Sequence, residues 1–152
     1  MSGKDIKILN VNEKSVSQAK NLIVRSLCEY FHSYDSSMNP DLDNILRFYG
    51  DEKSTFLVAV YNDKVIGTGA LIEETDSIAR IVRMSVDNEY RKLGIGTKIL
   101  YSLEQTATDR NYSKVVLETT KTWETAKSFY LSNGYIEEYE DEENVHFFKL
   151  IR

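Results

Sequence analysis

From Thr55 onward the apolar pattern of this chain changes from a helical period to a β period, and that change limits the folds open to it. Phe56 to Tyr61 and Val65 to Ile72 are β-prone runs joined through Asn62 and Asp63. Asn and Asp tolerate the left-handed backbone that a tight hairpin needs. The two runs are therefore expected as antiparallel neighbours, and Ile78 to Val86 is a third run of the same kind. Upstream, Asp5 to Val11 alternates Ile6 and Ile8 with polar neighbours, a short first strand. Glu13 to His32 then spaces Val16, Ala19, Ile23, Leu27 and Tyr30 three or four apart, as on one helix face. After a polar break at Tyr34 to Pro40, Asp41 to Tyr49 repeats that spacing with Leu42, Ile45, Leu46 and Tyr49, and Gly50 ends a second helix.

Beyond Val86 the pattern predicts a helix over Gly94 to Arg110 and a strand over Lys114 to Leu117. A helix over Glu124 to Ser132 and closing strands near Tyr135 and Phe147 follow. Strand, two helices, three strands, helix, strand, helix and two strands make one α+β (mixed α/β) layered domain over residues 1–152, with antiparallel hairpins and helical crossovers. No repeat or linker interrupts it, and 152 residues suffice for one core.

Charge narrows the partners. A net charge of -5 argues against a nucleic-acid backbone, whose binding rests on basic patches. The acidic run Glu137, Glu138, Glu140 to Glu143 reads either as a solvated turn or as an attraction for a cationic acceptor. Phe56 to Tyr61, the longest apolar stretch, is too short to span a bilayer. Met1 to Asn10 is too polar for a signal peptide. A cytoplasmic protein without a membrane partner is expected. The lone Cys28, beside Val24 and Leu27, reads as a packing residue. Neither His32 nor His146 has a partner at metal-ligand spacing, so no metal is expected.

The most informative segment is Arg91-Lys92-Leu93-Gly94-Ile95-Gly96, between the strand ending at Val86 and the following helix. A helix start leaves backbone N–H groups unpaired and carries partial positive charge, so phosphate oxygens bind there. Glycines at 94 and 96 let the main chain approach them, and Arg91 and Lys92 add charge. Ile99 stands where a dinucleotide fingerprint needs Gly, and Gly96 is followed by Thr97 where a P-loop needs Lys.

The segment instead resembles the Arg/Gln-x-x-Gly-x-Gly/Ala signature of the GNAT superfamily, the Gcn5-related N-acetyltransferases. Ala126, Phe129, Tyr130, Gly134 and Tyr135 resemble that family's second pattern. The likeness runs from about Phe56 to Tyr135, while the first fifty residues share only the order of elements. It implies a mixed, mostly antiparallel sheet of six to seven strands with about four helices. It also implies acetyl-coenzyme A as co-substrate and an amine acceptor in one ternary complex, with the protein a monomer or homodimer.

Carried onto this chain, the resemblance assigns Met84, Ser85 and Val86 to the pantetheine arm through their backbone. It assigns Arg91, Lys92, Leu93, Gly94, Ile95, Gly96 and Thr97 to the pyrophosphate. Trp123 replaces the family's usual Asn; its indole either packs on the pantetheine or is structural. Tyr130 matches the family's general acid, since a phenol with a pKa near ~10 stays protonated at neutral pH. No carboxylate lies between Asp76 and Asp87, so water or a carboxylate from elsewhere is expected to take the acceptor's proton; Glu118 and Glu73 are candidates that also read as solvated surface charge, and Arg80 and Arg83 occupy the central strand instead. Arg83 reads either as a clamp for an acceptor carboxylate or as one half of a salt bridge. A small-molecule primary amine is the expected acceptor. A protein N-terminus, a lysine side chain and a non-catalytic acyl-coenzyme A module remain as alternatives.

Overall fold

The computed structural model describes residues 5–152, so the reading of Met1 to Asn10 falls in part outside the described residues. Seven strands form one sheet in the order β1-β2-β3-β4-β5-β7-β6. They are β1 (Lys7–Asn10), β2 (Thr55–Tyr61), β3 (Lys64–Glu73), β4 (Ile78–Val86), β5 (Lys114–Thr120), β6 (Ile136–Glu140) and β7 (Asn144–Leu150). Four α-helices accompany them: α1 (Val16–Phe31), α2 (Ile45–Phe48), α3 (Ile95–Asp109) and α4 (Glu124–Ser132). All ladders are antiparallel except β4 with β5.

The β2–β3 hairpin turns on Asn62 and Asp63, both left-handed at φ 47° and 61°. This is the conformation their short polar side chains tolerate. Each face of the sheet has its own core. On one face Ile95, Ile99, Leu100 and Leu103 of α3 pack on Leu57, Ile66, Leu71 and Ile81, with Phe147 in the same cluster. On the other, Ala19, Leu22 and Ile23 of α1 and Ile45 of α2 pack on Phe56, Val58, Val65 and Ala70.

Several boundaries depart from the sequence expectation. α1 begins at Val16 rather than Glu13 because the Asn12 side chain accepts the N–H groups of Lys14 and Ser15 at 2.8 and 3.1 Å, holding a turn there. The helix expected over Asp41 to Tyr49 breaks into a 3₁₀ turn, Pro40–Asp43, and the single turn α2. Asn44, non-helical at φ −152° and ψ 68°, interrupts the two, and its side chain accepts the Arg47 N–H. β5 runs on to Thr120 because β7 pairs with its whole length. Cys28 is exposed rather than packed. Five residues past Ile23, it has rotated off the stripe of Ala19, Leu22 and Ile23 that α1 buries.

One irregularity shapes the centre. β4 pairs with β5 only at Ile78, Ala79 and Arg80, against Lys114, Val115 and Val116. Beyond Arg80 its only strand partner among the described residues is β3, so its edge from Ile81 to Val86 faces an opening. Within that stretch Arg83 adopts φ 57° and the β3–β4 register slips between Thr68 and Ala70. This is a bulge, which sharpens the local twist and bends the strand. Thr68 Oγ1 secures it by donating to the Arg83 carbonyl at 2.8 Å.

Candidate active site

Where β4 and β5 part, two cavities open on either side of β4. One, of about 430 Å³, lies against the turn that leads into α3 and against Ala126, Phe129 and Tyr130 of α4. The other, of about 280 Å³, lies between α1, the middle of β4 and Glu118 of β5. Met84, Ser85, Val86, Arg91, Ala126 and Tyr130 line both, so the two form one cleft divided by the free edge of β4. An unpaired strand edge offers a row of N–H and C=O groups to an extended ligand.

The turn before α3 is built to expose its amides. Lys92 and Gly94 are left-handed at φ 68° and 78°, with Leu93 between them, and alternating backbone of this kind makes an anion-binding concavity. Gly94 caps α3 without a side-chain hydrogen bond. The first helical bond runs from Lys98 N–H to the Gly94 carbonyl, leaving the amides of Ile95, Gly96 and Thr97 without a helical partner. A Cβ built on Gly94 meets nothing within 4 Å, whereas one on Gly96 comes within 3.0 and 3.1 Å of the Phe129 ring. Gly94 thus borders open space, and Gly96 is required by the seating of α4 on α3. The sequence reading had given both the same task.

Arg91 extends across this cleft but is engaged, its guanidinium 3.3 and 3.4 Å from the Glu29 carboxylate of α1. Both side chains are about one-third exposed, so the pair is worth less than about 1 kcal/mol and is cheap to exchange for another anion. Leu93 is exposed, and Lys92, Ile95 and Thr97 line the larger cavity beside the glycines.

Tyr130 stands at the junction of the cavities. Its ring packs edge-on against Phe129 and Tyr135 at 5.1 and 5.9 Å and lies 6.0 Å from Phe147. The residue is 8% exposed, and its hydroxyl makes no hydrogen bond among the described residues. Burial pushes its pKa upward. Beneath it, Tyr135 donates to buried Glu104 at 2.8 Å and Lys149 donates to the same carboxylate at 3.0 Å, tying α3, β7 and the end of α4 together.

Trp123 precedes α4 but faces the smaller cavity, not the larger. Its indole packs on Tyr30 at 4.2 Å and Phe31 at 5.2 Å, closing α4 onto the end of α1. Arg83 also lines that cavity, and its guanidinium is held by both Asp41 oxygens at 2.6 and 2.9 Å and by Asn39 at 3.0 Å. Asp41 further accepts from Tyr49 at 2.6 Å. Burial works against the Asp41 carboxylate, but the Arg83 and Tyr49 hydrogen bonds and the Arg83 charge outweigh it and lower its pKa. Arg83 therefore anchors the segment before α2, which answers the salt-bridge alternative.

The two carboxylates singled out from the sequence lie apart. Glu73 receives Tyr112 at 2.9 Å and Lys53 at 3.1 Å and lines neither cavity. Glu118 lines the smaller one, half-exposed, 3.9 Å from Arg80 and 3.5 Å from His146. His146, which the sequence left isolated, meets Asp141 at 2.8 Å as well. Its hydrogen bond, with the amides of Asn144 and Glu143, holds the Asp141 carboxyl down to about 2. Register alone makes this cluster, since Glu118 and His146 are opposed on β5 and β7. Sequence reasoning also missed Ser26, Leu27 and Tyr30 of α1, which wall the smaller cavity; only their place near the end of a helix that crosses the sheet could have marked them.

No helix among the described residues is long and apolar enough to cross a membrane. The described fold is shared with solved acetyltransferases. A GNAT-family acetyltransferase from Staphylococcus aureus Mu50 superposes at TM-score 0.88 with 25% identity, covering 97% of this chain and 99% of that one. PaiA N-acetyltransferase from Thermoplasma acidophilum, solved in complex with coenzyme A, superposes at 0.81 with 20% identity over 99% of both chains. Among curated proteins, human N-acetyltransferase 8B is 34% identical over 107 residues, which are 66% of this chain and 47% of that protein. N-acetylaspartate synthetase of Xenopus tropicalis is 33% identical over 103 residues, 66% of this chain and 38% of that protein. The chain thus spans about half or less of the length of these relatives. The model of the acetyltransferase (GNAT) family matches residues 21–135, taking in α1 as well as the turn and α4. With that match spread over the very elements that frame the cleft, the chain belongs to the GNAT acetyltransferase family.

Proposed function

We propose that this chain transfers an acetyl group from acetyl-coenzyme A to the primary amine of a small molecule, with both substrates held in the cleft at the β4–β5 opening. The observation that carries this reading is the hydroxyl of the largely buried Tyr130, which has no partner among the described residues and stands between a cavity floored by free α3 amides and a cavity holding one carboxylate. The chain suits the coenzyme on its own geometry. The amides of Ile95, Gly96 and Thr97, with Arg91 and Lys92 beside them, fit a diphosphate. The free edge of Met84 to Val86 fits an extended amide-bearing arm.

When bound, acetyl-coenzyme A supplies the activated thioester. Backbone donors of β4 orient its carbonyl and favour the negative charge that develops there. Glu118 takes a proton from the acceptor's ammonium and releases it to solvent. The freed nitrogen forms the new C–N bond as the C–S bond breaks. Tyr130 donates a proton to the departing sulfur and is restored by the proton the nitrogen sheds through cleft water. The net change is one amide, one thiol and one proton released. Because burial weakens Tyr130 as an acid, its donation accompanies C–S cleavage rather than preceding it.

Incubating the chain with acetyl-coenzyme A and a metabolite extract, then searching by mass spectrometry for species that gain one acetyl group, tests the reading. A small amine is the expected product. Acetylation confined to added proteins would move the acceptor class, and coenzyme binding without turnover would make the chain a binding module.

A further inference from the structure

Across one face of β5, β7 and β6 runs a row of side chains. Glu118 opposes His146, and His146 opposes Tyr139. The His146 ring stacks flat on Tyr139, with centroids 4.2 Å apart and planes 8° from parallel. Its Nε2 lies 2.8 Å from Asp141 Oδ2 and 3.5 Å from Glu118 Oε2. Asp141 is fixed in turn, because its Oδ1 accepts the amides of Glu143 at 3.0 Å and Asn144 at 2.7 Å. Arg80, on β4, is the other charge near Glu118, but its shortest bond goes to Glu74 at 2.7 Å, against 3.9 Å to Glu118.

A ring nitrogen this close to a carboxylate oxygen is a donor, so Nε2 carries the proton. Two consequences follow. His146 cannot relieve Glu118 of a proton at Nε2, since that site is taken. With that hydrogen directed to Asp141, the ring still sets a fixed polar edge beside a half-exposed glutamate whose side chain otherwise samples several rotamers. At 3.5 Å the contact is an attraction rather than a direct hydrogen bond, which orients Glu118 while leaving its oxygens free for an ammonium.

We propose that His146, clamped between Asp141 and Tyr139, is a positioning residue that keeps Glu118 turned into the acceptor cavity, making the β6–β7 turn part of the acceptor machinery. The assignment rests on Glu118 as the proton acceptor. It also gives one member of the acidic run a specific task, that of Asp141 as the clamp.

The test uses the full chain, and its first readout needs no acceptor. With two histidines in the chain, the His146 nitrogen-15 signals are identified by their loss in His146→Ala. They should show the proton on Nε2 and shift in Asp141→Asn. Three-bond couplings at Glu118 should report one dominant χ1 rotamer in the parent and averaging in His146→Ala. A bare Nε2, or an unchanged Glu118 rotamer in His146→Ala, overturns the proposal. The second readout is coenzyme A release with 2-phenylethylamine as probe amine. His146→Ala should lower kcat by about tenfold or more, with unchanged affinity for acetyl-coenzyme A, and His146→Asn, which keeps an N–H donor, should restore part of it. The double variant Glu118→Gln/His146→Ala should be no slower than Glu118→Gln alone; additive losses would overturn positioning. Full turnover in Glu118→Gln would instead sink Glu118 as the proton acceptor, an outcome separate from the rotamer result.

Discussion

Replacing Tyr130 by Phe removes a single oxygen, and the structure allows its effects on stability and on rate to be separated. The ring keeps its contacts with Phe129, Tyr135 and Phe147, at 5.1, 5.9 and 6.0 Å. The hydroxyl has no partner to lose among the described residues, and a polar group without a protein partner adds no hydrogen bond to the fold. Tyr130→Phe should therefore change unfolding free energy by less than about 1 kcal/mol in either direction, a shift in Tm of no more than about 4 °C for a chain of this size. Its cost should fall on the reaction. Loss of a general acid commonly lowers rate by about 100-fold, equivalent to about 2.7 kcal/mol at the transition state. Calorimetry, titration with acetyl-coenzyme A and initial rates of coenzyme A release at saturating coenzyme measure the three quantities. Turnover within twofold of the parent would show that Tyr130 only fills space. A Tm loss well beyond the expected bound would show that its hydroxyl supports the fold, and the argument from its lack of partners would fail.

The two glycines of the α3 turn should respond differently. Gly94→Ala strains a left-handed residue by about 1 kcal/mol but meets no atom, so the fold should survive while calorimetric affinity for acetyl-coenzyme A falls by about tenfold or more; unchanged affinity would remove the diphosphate from this turn. Gly96→Ala crowds Phe129 at 3.0 Å and should lower Tm, the about 1 to 3 kcal/mol cost of overpacking exceeding the about 1 kcal/mol gained in helix propensity. Asp41 titrates below its ordinary value in the fold, so its contribution to stability is complete above the unfolded pKa of about 3.9 and is lost as pH falls through the folded value. Asp41→Asn should flatten that part of the acid-unfolding profile, and an unchanged profile would discount the Arg83 pair. Trp123→Ala should cost about 1 to 3 kcal/mol through the lost Tyr30 and Phe31 contacts and raise KM for the acceptor, leaving acetyl-coenzyme A affinity intact; the reverse pattern would place the indole on the coenzyme.

What could be read from the sequence was what neighbours along the chain decide. The Asn62-Asp63 hairpin, the face of α1 and the strand-turn-helix at Arg91 to Gly96 are all local, and the structure has each where the spacing places it. What failed was decided by more than the nearest letters. Cys28 looked packed because two apolar residues flank it within one turn, yet burial on a helix follows the stripe and not the nearest apolar letter. The second helix had the right period but lacked length, and the competing bonds of Asn44 and Asp41 divided it. The parting of β4 from β5 after three pairs was legible only through the resemblance, which implies a free backbone at Met84 to Val86, and nothing in the letters announces that Arg83 carries a left-handed bulge, because that depends on register between strands distant in sequence.

The same distinction explains the candidate site. Gly94 and Gly96 are one motif in sequence, but an added Cβ finds open space at the first and an aromatic ring at the second. The motif therefore meets two requirements at once: a turn that borders open space and a helix pair close enough to hold Tyr130 beside it. Glu73 and Glu118 were equivalent as letters and became different once β3 and β5 set one beside Lys53 and Tyr112 and the other on the cleft. In this fold the chemistry of a residue is legible in its type, whereas its task is set by what the sheet brings opposite to it. That is why the proposed coenzyme side, carried by one continuous turn, could be drawn from the sequence. The proposed acceptor side, assembled from α1, β4, β5 and the β6–β7 turn, could not.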